Sequence, residues 1–144
     1  MNIESGSWLT WALLSAAFAA LTAIFGKIGV QNVNSDLATF ARTLVVIAVL
    51  GAILISTGQM KSLGAIGGRT WLFLTLSGLA TGASWVCYYR ALKIGDAARV
   101  APVDKLSVVL VALFGVAILG ERLSTAAWAG VALIAAGAVL VAVG

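Results

Sequence analysis

Residues 100–124 read VAPVDKLSVVLVALFGVAILGERLS: an adjacent Asp104 and Lys105, an uncharged run from Leu106 to Gly120, and a polar turn. A helix needs about 20 apolar residues at 1.5 Å rise to cross the hydrocarbon of a bilayer. Ala98 to Leu119 meets that length. Working outward, Trp8 to Ile28, Leu37 to Ser56, Trp71 to Leu92 and Thr125 to Val143 meet it too. The expected fold class is an all-α integral membrane protein, a bundle of five transmembrane helices.

The composition agrees. Of 144 residues, 62% are hydrophobic and 10% charged, and the mean hydropathy is +1.10, outside the balance of a soluble domain. The opening segment, MNIESGS, is acidic and lacks lysine, and no A-x-A site followed by a soluble domain comes after it, so the first span reads as a retained helix rather than a signal peptide. One cysteine, Cys87, and no histidine exclude an internal disulfide and a Cys/His metal site. Phosphate-binding loops and nucleophile elbows are missing from the sequence, and the loops are too short for a catalytic domain, so neither an enzyme nor a cofactor is expected. The net charge of +4 would suggest nucleic acid in a soluble protein; in this one the basic residues read as membrane-flank anchors, with no nucleic acid partner.

Each span has a boundary. Asn34-Ser35-Asp36 offers N-caps to the second, Thr57-Gly58 ends it, and Gly64 to Arg69 is expected to be a flexible loop before the third. Gly95-Asp96 separates the third from the fourth, and Glu121-Arg122-Leu123-Ser124 makes a tight turn into the fifth. Links this short imply antiparallel neighbours in one domain over residues 1–144. Trp8, Trp11, Trp71 and Trp128 open their spans on the N-terminal side, as interfacial indoles do.

The loop charges are nearly balanced. Lys61, Arg69 and Arg122 fall on the N-terminal side; Lys27, Lys93 and Arg99 fall on the other, with Arg42, Arg90 and Lys105 further into the spans. Loop residues alone choose no orientation, whereas all nine place the second side in the cytoplasm. A weakly biased chain with an odd number of spans can insert both ways and pair with its inverted copy, reproducing the inverted repeats found within single transporter chains.

Ionisable residues inside spans cost roughly 2.5–3.5 kcal/mol each near the centre on an insertion scale, and are functional candidates by default. Arg42 lies about 9 Å along the second helix from Asp36, within reach of the interface by snorkelling. Two readings of Asp104 and Lys105 stand side by side. A helix beginning at Pro102 puts Asp104 in its first turn, favoured by the dipole. A helix beginning near Ala98 puts Pro102 inside and Asp104 about 9 Å deep, where a carboxylate beside Arg42 or Lys105 would be a proton or substrate site. Trp85 with Tyr88 or Tyr89 shares a helical face beside Arg90 and could wall a polar pocket, or serve only packing and interfacial anchoring. Gly78-x-x-x-Gly82 and the ridge Ala126, Gly130, Gly137 suit close helix packing or dimerisation.

The stretch YYRALKIGDAARVAPVDKLSVVLVALFGVAILGERLSTAAWAGVALIAAGAVLVAV resembles the C-terminal half of an EamA-like domain of the drug/metabolite transporter superfamily. SAAFAALTAIFGKIGVQNVNSDLATFARTLVV resembles its first two helices. Leu-Gly-Glu-Arg at 119–122 is the most diagnostic piece. Many members carry two such domains in ten helices, and this chain is similar to the five-helix, single-domain branch, in which an Asp-Lys-Leu-Ser-like segment also occurs. The resemblance implies a carrier of a small-molecule metabolite or drug-like solute in a prokaryotic plasma membrane, working by alternating access and completed by a second copy as a homodimer. Lys27, Arg42, Arg90, Asp104 and Lys105, with Trp85, Tyr88 and Tyr89, would line its substrate or coupling-ion pathway. The basic surplus favours an anionic or zwitterionic solute. A flippase for a lipid-linked anionic substrate and a non-transporting membrane scaffold are the alternatives.

Overall fold

A computed structural model describes residues 8–144; the acidic opening MNIESGS lies outside the described residues. The elements are α1 (Trp8–Val30), α2 (Ser35–Ser56), a 3₁₀ segment (Gln59–Ala65), α3 (Gly68–Ile94), α4 (Ala97–Asp104), α5 (Ser107–Leu119) and α6 (Thr125–Val143). Among the described residues there is no strand. With α4 and α5 counted as one span, five stretches are long and apolar enough to cross a membrane, as the hydropathy pattern requires.

Local chemistry sets the helix ends. The Asn34 side chain accepts from the Asp36 and Leu37 backbone N–H groups, at 2.8 and 3.2 Å, and the Ser124 hydroxyl oxygen accepts from Ala127 N at 3.2 Å. Both satisfy donors that a helix start leaves unpaired. At the end of α5, Gly120 takes φ +70°, the left-handed conformation that glycine adopts without strain. One expectation is corrected: of the Gly64–Arg69 loop, Gly64 and Ala65 close a 3₁₀ helix over Gln59–Ala65, and Gly68 and Arg69 already belong to α3, because each residue wound into a turn finds backbone partners that an open loop would lack.

The fourth span follows the second of its two readings. Its helix begins at Ala97, and Pro102 lies inside. Proline supplies no N–H for a carbonyl one turn back, and the helix tightens just beyond it. Lys105 N–H is shared between Ala101 O and Pro102 O, at 3.2 and 3.1 Å, while Leu106, Val108 and Val109 donate three residues back, leaving a break between α4 and α5.

The chain divides into two compact units. One holds Gly26–Lys93; the other holds the chain up to Phe25 together with Ile94–Gly144. In the second, α6 packs against both α4 and α5. Ala97 and Ala101 of α4 and Ala135 and Ala138 of α6 are half-buried or buried, and side chains this small keep helices slim enough for close backbones. In the first, Val30, Tyr89 and Leu92 are buried, while the outward faces stay apolar, with Leu44, Val45, Ile55 and Leu79 exposed.

Candidate functional site

The first turn of α2 meets the last turns of α3 through charge. Arg90 grips Asp36 with two parallel bonds, Nε to Oδ1 at 3.0 Å and Nη2 to Oδ2 at 2.7 Å. Bidentate pairing of this kind fixes orientation as well as distance. Two lysines add main-chain bonds at the same end. Lys27 Nζ, in the last turn of α1, donates to Leu92 O at 2.7 Å, and Lys93 Nζ donates to Val33 O. Each occupies a carbonyl that a terminating helix or turn leaves open.

One layer further in, the Arg42 guanidinium lies over the Trp85 ring, 4.1 Å from its centroid, and 5.7 Å from that of Tyr89. Both distances are within cation–π range. Arg42 is six residues along α2 from Asp36, and Trp85 five residues along α3 from Arg90, depths of roughly 9 and 8 Å at the helical rise. The guanidinium is thus held against two aromatic rings of α3. Its Nη1 is buried without a hydrogen-bond partner. Tyr89 also closes on α1: a Cβ added to Gly26 would lie 3.1 Å from Tyr89 Oη, so glycine is what lets the ring in. Tyr88 meets Tyr89 edge-on, with centroids 6.4 Å apart.

Beside this stack an open groove of about 570 Å³ runs between α2 and α3, lined among others by Asp36, Thr39, Thr43, Ser77, Thr81 and Trp85. Thr39, Thr43 and Thr81 each donate their hydroxyl proton to the carbonyl four residues back, at 2.8 Å. Gly78 and Gly82 line the same groove. Among the described residues, a Cβ on Gly78, Gly82, Gly130 or Gly137 would meet nothing within 4 Å.

Asp104 and Lys105 belong to the other unit, where Lys105 Nζ bonds Asp104 Oδ2 at 3.1 Å. In the same unit the Glu121 carboxylate folds back over α5, and Oε2 would stand 2.6 Å from a Cβ placed on buried Gly115. Of the residues expected from the sequence to line a pathway, Lys27, Arg42, Trp85, Tyr88, Tyr89 and Arg90 thus fall in one unit, and Asp104 and Lys105 in the other. Asp36 and the hydroxyl residues were not foreseen. Their signal was available: Asp36, Thr39 and Thr43 recur at helical spacing, as do Ser77, Thr81 and Trp85.

The EamA-like transporter family model matches residues 6–143. A Sinorhizobium protein described as an uncharacterized transporter in the cobO 3′ region is 66% identical over 139 residues, which cover 96% of this chain and 99% of that protein. No solved structure matches. With five apolar spans of sufficient length, this is a multi-pass membrane protein whose family assignment points to transport rather than enzymatic chemistry, and the chain belongs to the EamA-like transporter family.

Proposed function

We propose that the protein carries a small organic solute across the membrane by alternating access, as a half-transporter completed by a second, inverted copy. The observation that carries this reading is the α2–α3 groove: a carboxylate, hydroxyls and an indole line an open cleft between two helices whose length and composition suit the membrane. Polar groups at membrane depth are tolerated where protein covers them or where they line a pathway. A second copy would supply the missing wall. In this reading the Arg42–Trp85–Tyr89 stack and the Arg90–Asp36 pair stiffen the pathway side of α2 and α3, and Asp104 with Lys105 serves ion coupling.

Two measurements test it. With Cys87→Ala as background and one cysteine appended after Gly144, an impermeant thiol reagent should label about half the molecules from outside intact cells if two orientations coexist; a single orientation would reject the inverted pair. In proteoliposomes on a solid-supported membrane, a panel of aromatic amines, aromatic acids and sugars should include at least one solute giving a current absent from empty liposomes. Silence across the panel counts against transport of this solute class. Currents indifferent to a pH gradient and unchanged by Asp104→Asn would reject coupling through that residue.

A further inference from the structure

The groove has a chemical sign. Thr39, Thr43 and Thr81 have each committed their one hydroxyl proton to a backbone carbonyl, at 2.8 Å. A hydroxyl carries one donor and two acceptor lone pairs, so these three present only lone pairs to the groove. The one charged residue lining it is Asp36, a carboxylate and again an acceptor. Trp85 adds an aromatic surface. Asp36 and the three threonines place acceptors on both helices, the Ser77 hydroxyl and the Trp85 indole N–H are the neutral donors among them, and Phe40, Leu74 and Val86 supply apolar surface, a lining that suits a ligand bringing N–H donors, positive charge and an apolar or aromatic body.

The geometry points to the α2–α3 groove as a binding site for a protonated organic amine, whose ammonium takes the place of the Arg90 guanidinium on Asp36. This rests on the transport reading and names its substrate class. It runs against the anionic preference suggested by the net charge of +4, because no lysine or arginine is among the groove's lining residues and Arg42 lies over the Trp85 ring. The exchange is easy where it must occur. The Arg90 and Asp36 side chains are 60% and 49% exposed, and exposed ion pairs contribute little to stability. An ammonium bound to Asp36 would also release α3 from the first turn of α2, so that occupancy of the groove favours a conformation in which that end is unlatched. A ligand shifts a conformational equilibrium through such a difference in contacts between two states.

The test is equilibrium binding of radiolabelled 2-phenylethylamine to the full chain in phosphatidylcholine nanodiscs at neutral pH, with empty discs subtracted. Phenylacetate and trimethyl(2-phenylethyl)ammonium serve as competitors. The amine should bind more tightly than the acid of the same body, and the trimethyl compound, charged but without N–H donors, should bind several-fold more weakly. Thr43→Val and Thr81→Val should each weaken the amine by about fivefold, the effect of one hydrogen bond. Asp36→Asn should weaken it about tenfold or more, since bonds to a charged acceptor are stronger. Arg90→Gln, by freeing Asp36, should tighten it about threefold at an exposed site.

The opposite signs for Asp36→Asn and Arg90→Gln separate a ligand site from a mere brace, whose two halves would fail in the same direction. Equal weakening by both, preference for phenylacetate, or no saturable binding of any probe would overturn the proposal. The transport reading fails by a different result. Amine bound with the expected variant pattern but not moved into proteoliposomes sinks transport and leaves the site; phenylacetate selected and moved sinks the site's chemistry and leaves transport.

Discussion

The Gly26–Lys93 unit and the unit formed by the chain up to Phe25 with Ile94–Gly144 use opposite means to hold helices together. In the first, α2 and α3 are bridged by long side chains: Arg90 reaches Asp36, and Arg42 lies across Trp85. Beside those bridges lies the groove, which runs along α3 from Val86 past Trp85 to Leu74. In the second, α6 packs on α4 and α5 with small alanines such as Ala97, Ala101, Ala135 and Ala138 half-buried or buried, and the Asp104–Lys105 pair joins adjacent residues and so fixes no second helix. Long polar bridges hold helices at a distance and leave lined space, whereas small residues bring backbones together by van der Waals contact.

The comparison breaks most readily at Tyr89, which is 4% exposed and faces both Gly26 and Arg42. Tyr89→Ala should destabilise the protein by about 3 kcal/mol, the usual result of emptying a buried aromatic site, read as a lower thermal unfolding midpoint in detergent. A variant as stable as the parent would mean that long side chains do not hold this unit. Next come two glycines, one from each unit. The Gly26→Ala methyl would press on the buried Tyr89 ring, 3.1 Å from Oη and 3.3 Å from Cζ, a cost of about 1–2 kcal/mol for overpacking.

Gly115→Ala meets only the end of the flexible Glu121 side chain, which can swing out. Alanine gains up to about 1 kcal/mol over glycine in a helix, so this variant should be neutral or slightly more stable in the same assay. Equal losses at the two positions would erase the distinction between a rigid and a yielding neighbour.

Arg42→Met sharpens the comparison further. It removes a cation–π contact of about 0.5–2 kcal/mol and also a buried donor without a partner, which itself costs about 1–3 kcal/mol. The two nearly cancel, and the unfolding midpoint should move by a few degrees at most. If transport falls while stability holds, Arg42 serves the pathway; if transport holds, the stack is structural. The smallest effect is expected for Asp104→Asn. That pair links neighbouring residues and its side chains are partly exposed, so the unfolding midpoint should not change measurably, while the response of transport to a pH gradient should be lost.

The helix inventory was legible in the sequence because hydropathy and helix caps act locally: Asn34 and Ser124 bond backbone groups two or three residues away, and Leu106 to Gly120 carries no charge. The start of the fourth span was not, since Pro102 is compatible with a first turn or an interior site, and the tertiary structure selects the interior. Arg42, Trp85, Tyr89 and Arg90 were found as candidates because ionisable and aromatic side chains within apolar helices stand out. Asp36, the partner of Arg90, was not.

The sequence by itself determined that there are five apolar spans, where their caps fall at Asn34, Gly120 and Ser124, and the family the chain belongs to. Only the tertiary structure decided that Arg90 meets Asp36, 54 residues away, that Arg42 rests on an indole, and that three threonines of two helices line one groove. The physical reason is range. A span or a cap is written within one or two helical turns, but a bridge between helices depends on how far apart two backbones settle and which rotamers the remaining space admits.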